Sequence, residues 1–458
     1  MLRVAVAIAP EVRQLLKEDP SQLTEFIGEI HDEDIADLCS MLEESEAAAL
    51  LKALEPADAA TIFERLDADE QEALVENIGY ESMAPIVGEM SADDRTDLIE
   101  GLPDAMGESL LETLEKHDPE AAAEVEELAK WPEDSAGGLM TTDYVSVGPT
   151  LTVSEVIEEI RREGTQAETI YYVYVVGKEN RLLGVASLRH ILLAKPTDRI
   201  DEVMLEMVHA VSPTTDQEEV ARTMAKYDFS SLPVVGPGQR LLGVITVDDV
   251  MDVLTEEQAE DVQRMAAVEP TELPYFQTSF FTFIKKRVGW LIVLFVSEFF
   301  SGSMLESYEH VLKEIPVLMF YMPLCLSTGG NSGGQSSSLV IRGLATGDIR
   351  VSDYQRILRR EFMQGLVMGG IIGAIGAARA LIWSHGSGFA VVIFVTLVGI
   401  CIMGCTIGSL LPLLLKRVGL DPATSSAPFI ASLTDLLGII VYVNVAKIIL
   451  AEALKSAH

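Results

Sequence analysis

Apolar residues recur at helical spacing through the first 130 positions. Leu15, Leu16, Leu23, Phe26 and Ile27 open the pattern, and Ile35, Leu38, Leu42, Leu50, Leu51 and Leu54 continue it. Ile62, Leu66, Leu74, Ile78, Ile86, Leu98, Leu102, Leu110 and Leu114 extend it. A period near 3.6 predicts amphipathic helices. Asp19-Pro20-Ser21, Glu55-Pro56-Ala57-Asp58 and Ser91-Ala92-Asp93-Asp94 supply caps and breakers between them. The expectation is an all-α superhelical domain over 1–130, built from helix–turn–helix units with a solvated acidic face.

From about residue 137 the pattern changes and repeats. YYVYVV (171–176) followed by RLLGVASLRHIL returns as SSLPVV (230–235) followed by RLLGVITVDDVM. An amphipathic helix precedes each, VSEVIEEIRREG and QEEVARTMAKYD, and each copy opens on a strand-like unit, YVSVGPTLT and VHAVSPTTD. Two β-α-β-β-α units in tandem, 131–200 and 201–258, resemble a pair of CBS domains. That resemblance implies an α/β sensing module binding ATP or another adenine nucleotide. Thr246 and Asp249 of GVITVDD would face the phosphates and ribose. The first copy departs, with Ser187 and His190 in GVASLRH and no ribose-binding Asp.

Residues 285–458 are different again. A membrane-crossing helix needs about 20 mostly apolar residues, and candidates lie at 288–307, 315–341, 362–383, 389–415 and 425–453. Basic residues fix orientation. Lys285, Lys286 and Arg287 precede the first span, Arg342, Arg350, Arg356, Arg359 and Arg360 lie between the second and third, and Lys416 and Arg417 between the fourth and fifth. The other turns, SYEHVLKE and WSHGSG, are poor in Arg. The expectation is an all-α transmembrane bundle in the plasma or inner membrane, with a cytoplasmic N-terminal half and the C-terminus outside.

Two features of this half suggest chemistry. LSTGGNSGGQSSSLVIRG (326–343) sits where a span should be. Such a run is prone to leave the helix, and irregular backbone inside a bilayer survives only when buried in protein or lining a watery cavity. Packing of helices through small residues is the plainer reading of the glycines. The last span carries an acid near its middle, PFIASLTDLLGIIVYV. Inserting an ionised Asp there costs about 2.5–3.5 kcal/mol on translocon scales, so Asp435 is a functional candidate. Pro428, Ala431, Ser432 and Gly438 share its helix face and leave room beside it. The candidate pore set is Asp435 with Gly329, Gly330, Asn331 and Ala431. Oxygen ligands of this kind suit a hard cation such as Mg2+, which gives up its water reluctantly and would pass largely hydrated.

Composition sharpens this picture. The 458 residues carry 71 Asp+Glu against 33 Lys+Arg, a net charge of −38, yet the mean hydropathy is +0.26. An acidic soluble half joined to an apolar half accounts for both. The acidity excludes a nucleic-acid partner, which needs a basic footprint. Cys39, Cys325, Cys401 and Cys405 form no CxxC pair and are expected to be reduced. Neither HExxH nor GxxxxGK[ST] occurs, which argues against an intramembrane metalloprotease and an ATP-driven pump, and for a protein that is not an enzyme.

The order of domains, with WPEDSAGGLMT (131–141), TVDDVMDVL (246–254), GGNSGGQSSSLVIRGLATGDI (329–349) and PATSSAPFIASLTD (422–435), resembles the MgtE family of magnesium channels and transporters over nearly the whole chain. The resemblance implies a homodimer in membrane lipid, with a pore lined by the second and fifth spans and Asp435 at the ion. Ala427 stands where many members have a polar residue, often Asn, before the Pro. That argues against a side-chain ligand at the pore's cytosolic end. By the same analogy the acidic half becomes a gate closed by cytosolic Mg2+. Its candidate ligands are Asp93, Asp94, Asp97, Glu218, Asp228, Asp249, Asp252, Glu256, Glu257 and Glu260. A connecting, plug-like helix over about 259–284 would carry the signal. Transport of another divalent cation, Co2+ or Mn2+, and a non-transporting CBS membrane sensor are the alternatives.

Overall fold

The computed structural model describes residues 3–18, 22–28, 30–165, 167–271, 275 and 278–450. It divides into two compact units, Met1–Leu254 and Thr255–His458. The expected break at Asp19-Pro20-Ser21 lies outside the described residues, as does the end of the last span beyond residue 450.

The first unit begins with ten helices among the described residues, from α1 (Arg3–Glu18) to α10 (Pro119–Leu128). They are short because the sequence stops and restarts them. Glu43 and Glu46 form a capping box, Pro56 opens one helix, and Asp118 accepts bonds from the N–H groups of Glu120 and Ala121, both at 3.1 Å. Their inward faces merge into one core containing Val12, Leu38, Phe63, Met83 and Leu110.

The CBS region follows as β1 (Tyr144–Val147), α11 (Val153–Glu163), β2 (Thr169–Val176), β3 (Leu182–Ser187), α12 (Leu188–Leu193) and a turn of helix, α13 (Ile200–Val203). The second copy has α14 (Gln217–Tyr227), β4 (Ser231–Gly236), β5 (Arg240–Thr246) and α15 (Val247–Met265). β1 pairs parallel to β2, and β2 antiparallel to β3. In the second copy the opening strand shrinks to one bridge, Val211 with Val234. The stretch 131–141, assigned above to the first repeat, lies on the second. Ser135 bridges Asp216, Thr141 bridges Val244, and the N–H groups of Ala136 and Gly137 donate to Thr215 and Pro213. Its glycines permit this: a Cβ on Gly137 would stand 2.5 Å from the Trp131 ring.

The second unit holds α16 (Phe280–Ser307), α17 (Glu309–Glu314), α18 (Val317–Ala345), α19 (Tyr354–Ile382), α20 (Ser387–Arg417) and α21 (Ala427–Ile449). α16, α19, α20 and α21 are long and apolar enough to cross a bilayer. α18, with 29 residues, matches them in length but carries the polar run.

Two expectations are corrected. The Gly-rich stretch does not interrupt its helix: α18 is continuous from Val317 to Ala345. Its glycines let other backbones approach, since a Cβ on Gly408 of α20 would stand 2.1 Å from the Gly333 carbonyl and one on Gly404 2.7 Å from the Gly329 carbonyl. Its serines bond within the helix, Ser332 to the Gly329 carbonyl at 3.1 Å and Ser338 to the Gly334 carbonyl at 3.0 Å. These hydroxyls thus find partners inside the helix without a break in it. Nor is 259–284 one helix. α15 runs unbroken out of the second CBS copy and stops at Met265, where Ala267 takes a left-handed φ of 59°, and α16 starts at Phe280.

Candidate ion pathway and acidic cluster

The period of α18 sorts its small residues onto two faces. One packs on α20 and α21. Gly329, a candidate pore residue, belongs there: a Cβ on it would meet Ile400 at 2.9 Å and Thr434 at 3.5 Å. The other face carries Gly330, Asn331, Gly334, Gln335 and Ser338, opposite Ala427, Pro428, Ala431 and Asp435 of α21, across a groove of about 940 Å3. The structure therefore groups Gly330, Asn331, Ala431 and Asp435 and sets Gly329 apart. Because α18 is unbroken, its glycine carbonyls are engaged by helical bonds. The oxygens available to an ion are those of side chains. Gln335, Ser338 and Ser327 join Asn331 in the groove; none of the three was in the sequence-derived set, although their spacing from Asn331 was legible.

Asp435 stands where the groove meets a second hollow of about 610 Å3, bounded by Leu312, Met319, Met322 and Pro323. Pro323 has no N–H to give the Met319 carbonyl, which frees one backbone oxygen beside this hollow. Leu305, Leu312 and Met319 continue into a third hollow of about 690 Å3 that reaches Glu306, Glu309 and Lys313. One face of the unit thus presents a polar groove, a carboxylate at a junction, an apolar stretch and a charged mouth in succession. Glu298 of α16 acts electrostatically on Asp435. Behind the groove, Ser336 donates to the buried Glu361 of α19 at 2.6 Å and ties α18 to that helix.

The second constellation lies in the first unit. α8 (Ala92–Gly101) buries Ala92 in the same apolar cluster as Leu232, Ile245 and Val250 of the second CBS copy. That packing carries Asp93, Asp94 and Asp97 to the start of α15. Thr246 Oγ1 stands 2.7 Å from Asp249 Oδ2 and 2.5 Å from Asp248 Oδ1, so its single proton serves one or the other. The two positions expected to face a nucleotide are thus tied to each other. Asp93 is 7 % exposed and its Oδ1 has no partner. Burial, and then the charges of Asp249, Asp94 and Glu168, raise its carboxyl well above the usual range. Burial, then Asp94, lifts Glu64 to about 7. Burial, then Asp94 and Glu133, lifts Asp97 to about 7. Burial, then Asp249 and Asp248, lifts Glu168 to about 7. Burial, followed by Asp248, lifts Asp249 to about 6 even though Thr246 donates to it. Asp252 acts on Asp94. Arg95, the buried cation of α8, is committed to the carbonyls of Val87 and Met90 and to Glu124 at 2.9 Å.

Asp248 joins through its neighbour Asp249 in the TVDDVM run, while Glu64 and Glu168 complete this cluster and were absent from the sequence-derived set; only their tertiary position shows it. Glu218 and Asp228 fall elsewhere, the first ion-paired to Arg222 and the second capping α14 with a left-handed φ of 55°. Glu256, Glu257 and Glu260 lie along α15, with Glu260 paired to Arg264, which also holds Asp421. Among the described residues no three His, Cys, Asp or Glu side chains converge closely enough to ligate a bare ion. A divalent cation between these carboxylates would be held through its waters, as suits Mg2+.

A helical acidic domain, a CBS pair and a bundle of long apolar helices with a carboxylate in a polar groove define a membrane protein of the divalent cation transporter class. The sequence pattern of the MgtE intracellular N domain matches residues 30–134, that of the CBS domain 136–196 and 200–256, and that of the MgtE divalent cation transporter domain 322–445. The chain is 43 % identical to the magnesium transporter MgtE of Thermus thermophilus over 73 % of this chain and 74 % of that one. It is 36 % identical to that of Enterococcus faecalis over 72 % of each. Among solved structures, the soluble part of a magnesium transporter aligns with a TM-score of 0.53 at 31 % identity, over 56 % of this chain and 100 % of that one. The cytosolic domain of the Mg2+ channel MgtE in complex with ATP aligns with a TM-score of 0.50 at 42 % identity, over 54 % and 99 %. The chain belongs to the MgtE family of magnesium transporters.

Proposed function

We propose that the chain passes Mg2+ across the cell membrane along the face between α18 and α21, with Asp435 as the charge that holds the ion. The observation that carries this reading is the position of Asp435 at the junction of the polar groove and the hollow beyond it. Amide and hydroxyl oxygens of Asn331, Gln335 and Ser338 line the groove and are suited to the ion's water shell, while Gly330 lets α18 close on Ala431 beside it. The groove is open along one side of a single chain, and a second copy facing it would close the pore and set two Asp435 carboxylates against one divalent charge. The distribution of basic loops supports an orientation with the N-terminal half in the cytosol and the C-terminus outside.

The cluster around Asp93, Asp94, Asp97 and Asp249 is the regulatory site of this reading. Cytosolic Mg2+ neutralises carboxylates that burial and mutual repulsion disfavour, and so stabilises one arrangement of the N and CBS domains. It shifts the gate only by its differential affinity for the two states. α15 leaves this cluster and carries in its last turn Arg264, whose ion pair with Asp421 reaches the turn before α21. An adenine nucleotide at the CBS pair is a second input, supported by the relative crystallised with ATP.

The test is Mg2+ flux in proteoliposomes, wild type beside Asp435→Ala, with Mg2+ varied on the side of the N-terminal half. The expected result is flux that falls at least tenfold in the variant and, in wild type, declines as Mg2+ on that side rises. Persistent flux in Asp435→Ala overturns the pore assignment. Equal or faster passage of Co2+ or Mn2+ would change the cargo, and no divalent flux from folded protein would favour the sensor reading.

A further inference from the structure

The two CBS copies meet at their hairpin turns. Gly177-Lys178-Glu179-Asn180-Arg181 joins β2 to β3, and Gly236-Pro237-Gly238-Gln239-Arg240 joins β4 to β5 at the equivalent place in the repeat. Both turns pass through the left-handed region, at Glu179 and Asn180 in one and at Gly238 and Gln239 in the other. Arg181 and Arg240 are repeat-equivalent and form an antiparallel bridge with each other. Residues directly opposite in such a bridge point their side chains to the same face, and like charges there repel.

In a chain of net charge −38 a carboxylate would be the cheap remedy for that repulsion. Among the described residues neither guanidinium has an ion-pair partner. Instead, both line a cleft of about 710 Å3 together with Lys178 and Glu179, so three cations face one anion. The cleft is fixed in place, since the Asn180 amide donates to the Leu241 carbonyl at 2.7 Å and to the Tyr144 hydroxyl at 3.1 Å. Thr246, the nucleotide candidate, sits at the far end of β5 from Arg240.

We propose that this cleft is an anion site for a diphosphate group, with Arg181 and Arg240 each taking one phosphoryl end and Lys178 adding charge. A guanidinium forks two N–H groups toward phosphate oxygens, and two related by a local two-fold suit an anion with two like ends. The diphosphate can be inorganic or the tail of a nucleotide, and the experiment separates these sources.

Purified full-length chain in detergent, free of divalent cations and at low ionic strength, is titrated with inorganic diphosphate and with ADP by calorimetry. The expected result is saturable binding of inorganic diphosphate that weakens at least tenfold in Arg181→Gln and in Arg240→Gln and is unchanged in Thr246→Ala. ADP affinity that drops with the same two variants assigns the site to a nucleotide tail; ADP affinity that does not assigns it to the inorganic ion. In buffer without phosphates each Gln variant should melt no lower than wild type, because a repulsion has been removed. Absent binding, binding indifferent to both arginines, or variants that melt lower without the ligand would each overturn the proposal. None of these outcomes depends on Asp435 or on flux.

Discussion

Asp435 and the glycines around it sort by what each side chain meets. An acid on a lipid-facing surface has little to recommend it, whereas Asp435 opens on a groove of amides and hydroxyls. The glycines that let helices touch are Gly329, Gly333, Gly404 and Gly408, and Gly330 does so too while lining the groove, since a Cβ on it would stand 3.0 Å from the Ala431 methyl; Gly334 lines the groove with only ordinary contact to Ala427. Gly408→Ala should be more damaging than its single methyl suggests, because the new Cβ meets backbone rather than a movable side chain. Overpacking of this kind costs about 1–3 kcal/mol or more. Thermal unfolding in detergent should fall clearly for Gly408→Ala and hardly at all for Gly370→Ala, whose Cβ would meet nothing within 4 Å.

The elements carry two further expectations. The carboxyls of Glu64, Asp97 and Glu168 rise to about 7 and that of Asp249 to about 6 in the folded protein, from near 4 unfolded. A raised folded value means that their contribution to stability is complete below about pH 4 and is lost as pH rises through 6 to 7. Without divalent ions, the first unit should therefore melt lower at pH 7.5 than at pH 5.5. A loss of even 1 kcal/mol moves Tm by about 2–4 °C at this size. Mg2+ added at pH 7.5 should restore it, and Asp97→Asn should shrink both effects; a melting curve unmoved by pH and Mg2+ would remove the cluster from the gate. The second expectation concerns α15. Arg264 pairs with Glu260 on its own helix and with Asp421 ahead of α21. Arg264→Ala should leave flux at low Mg2+ near wild type while weakening its inhibition by high Mg2+, read as a rightward shift of the inhibition curve.

At the scale of the molecule, the proposed pathway needs a second copy to close the groove. Leu339 lines it and is 61 % exposed in a single chain. If two copies close the pathway, Leu339→Cys in a chain whose four native cysteines are replaced by alanine should cross-link to a dimer under mild oxidation. The mass in detergent, corrected for the micelle, should be twice 49.8 kDa before any cross-linking. A monomer that conducts would overturn the shared pore. The four native thiols are all buried, so they do not compete for the oxidant in the folded wild type.

Hydrophobic periodicity located the acidic helical domain and the long apolar helices, because the spacing of apolar residues records which face each buries, while the internal repeat and its resemblance located the CBS pair. It also marked Asp435, since a charge in an apolar run needs no partner to be conspicuous. It misread the Gly-rich run as a break. A single helix cannot report that the space left by its glycines is filled by another backbone, and Gly333 against Gly408 is a contact between residues 75 positions apart. The acidic cluster divided in the same way. Asp93, Asp94, Asp97 and Asp249 stood out as local charge runs, while Glu64 and Glu168 are single acids in ordinary contexts. Only the burial of Ala92 in the core of the second CBS copy brings them together. Local pattern determines which face of an element is buried; which remote charges then share a desolvated space, and which helix fills a groove, is decided by packing.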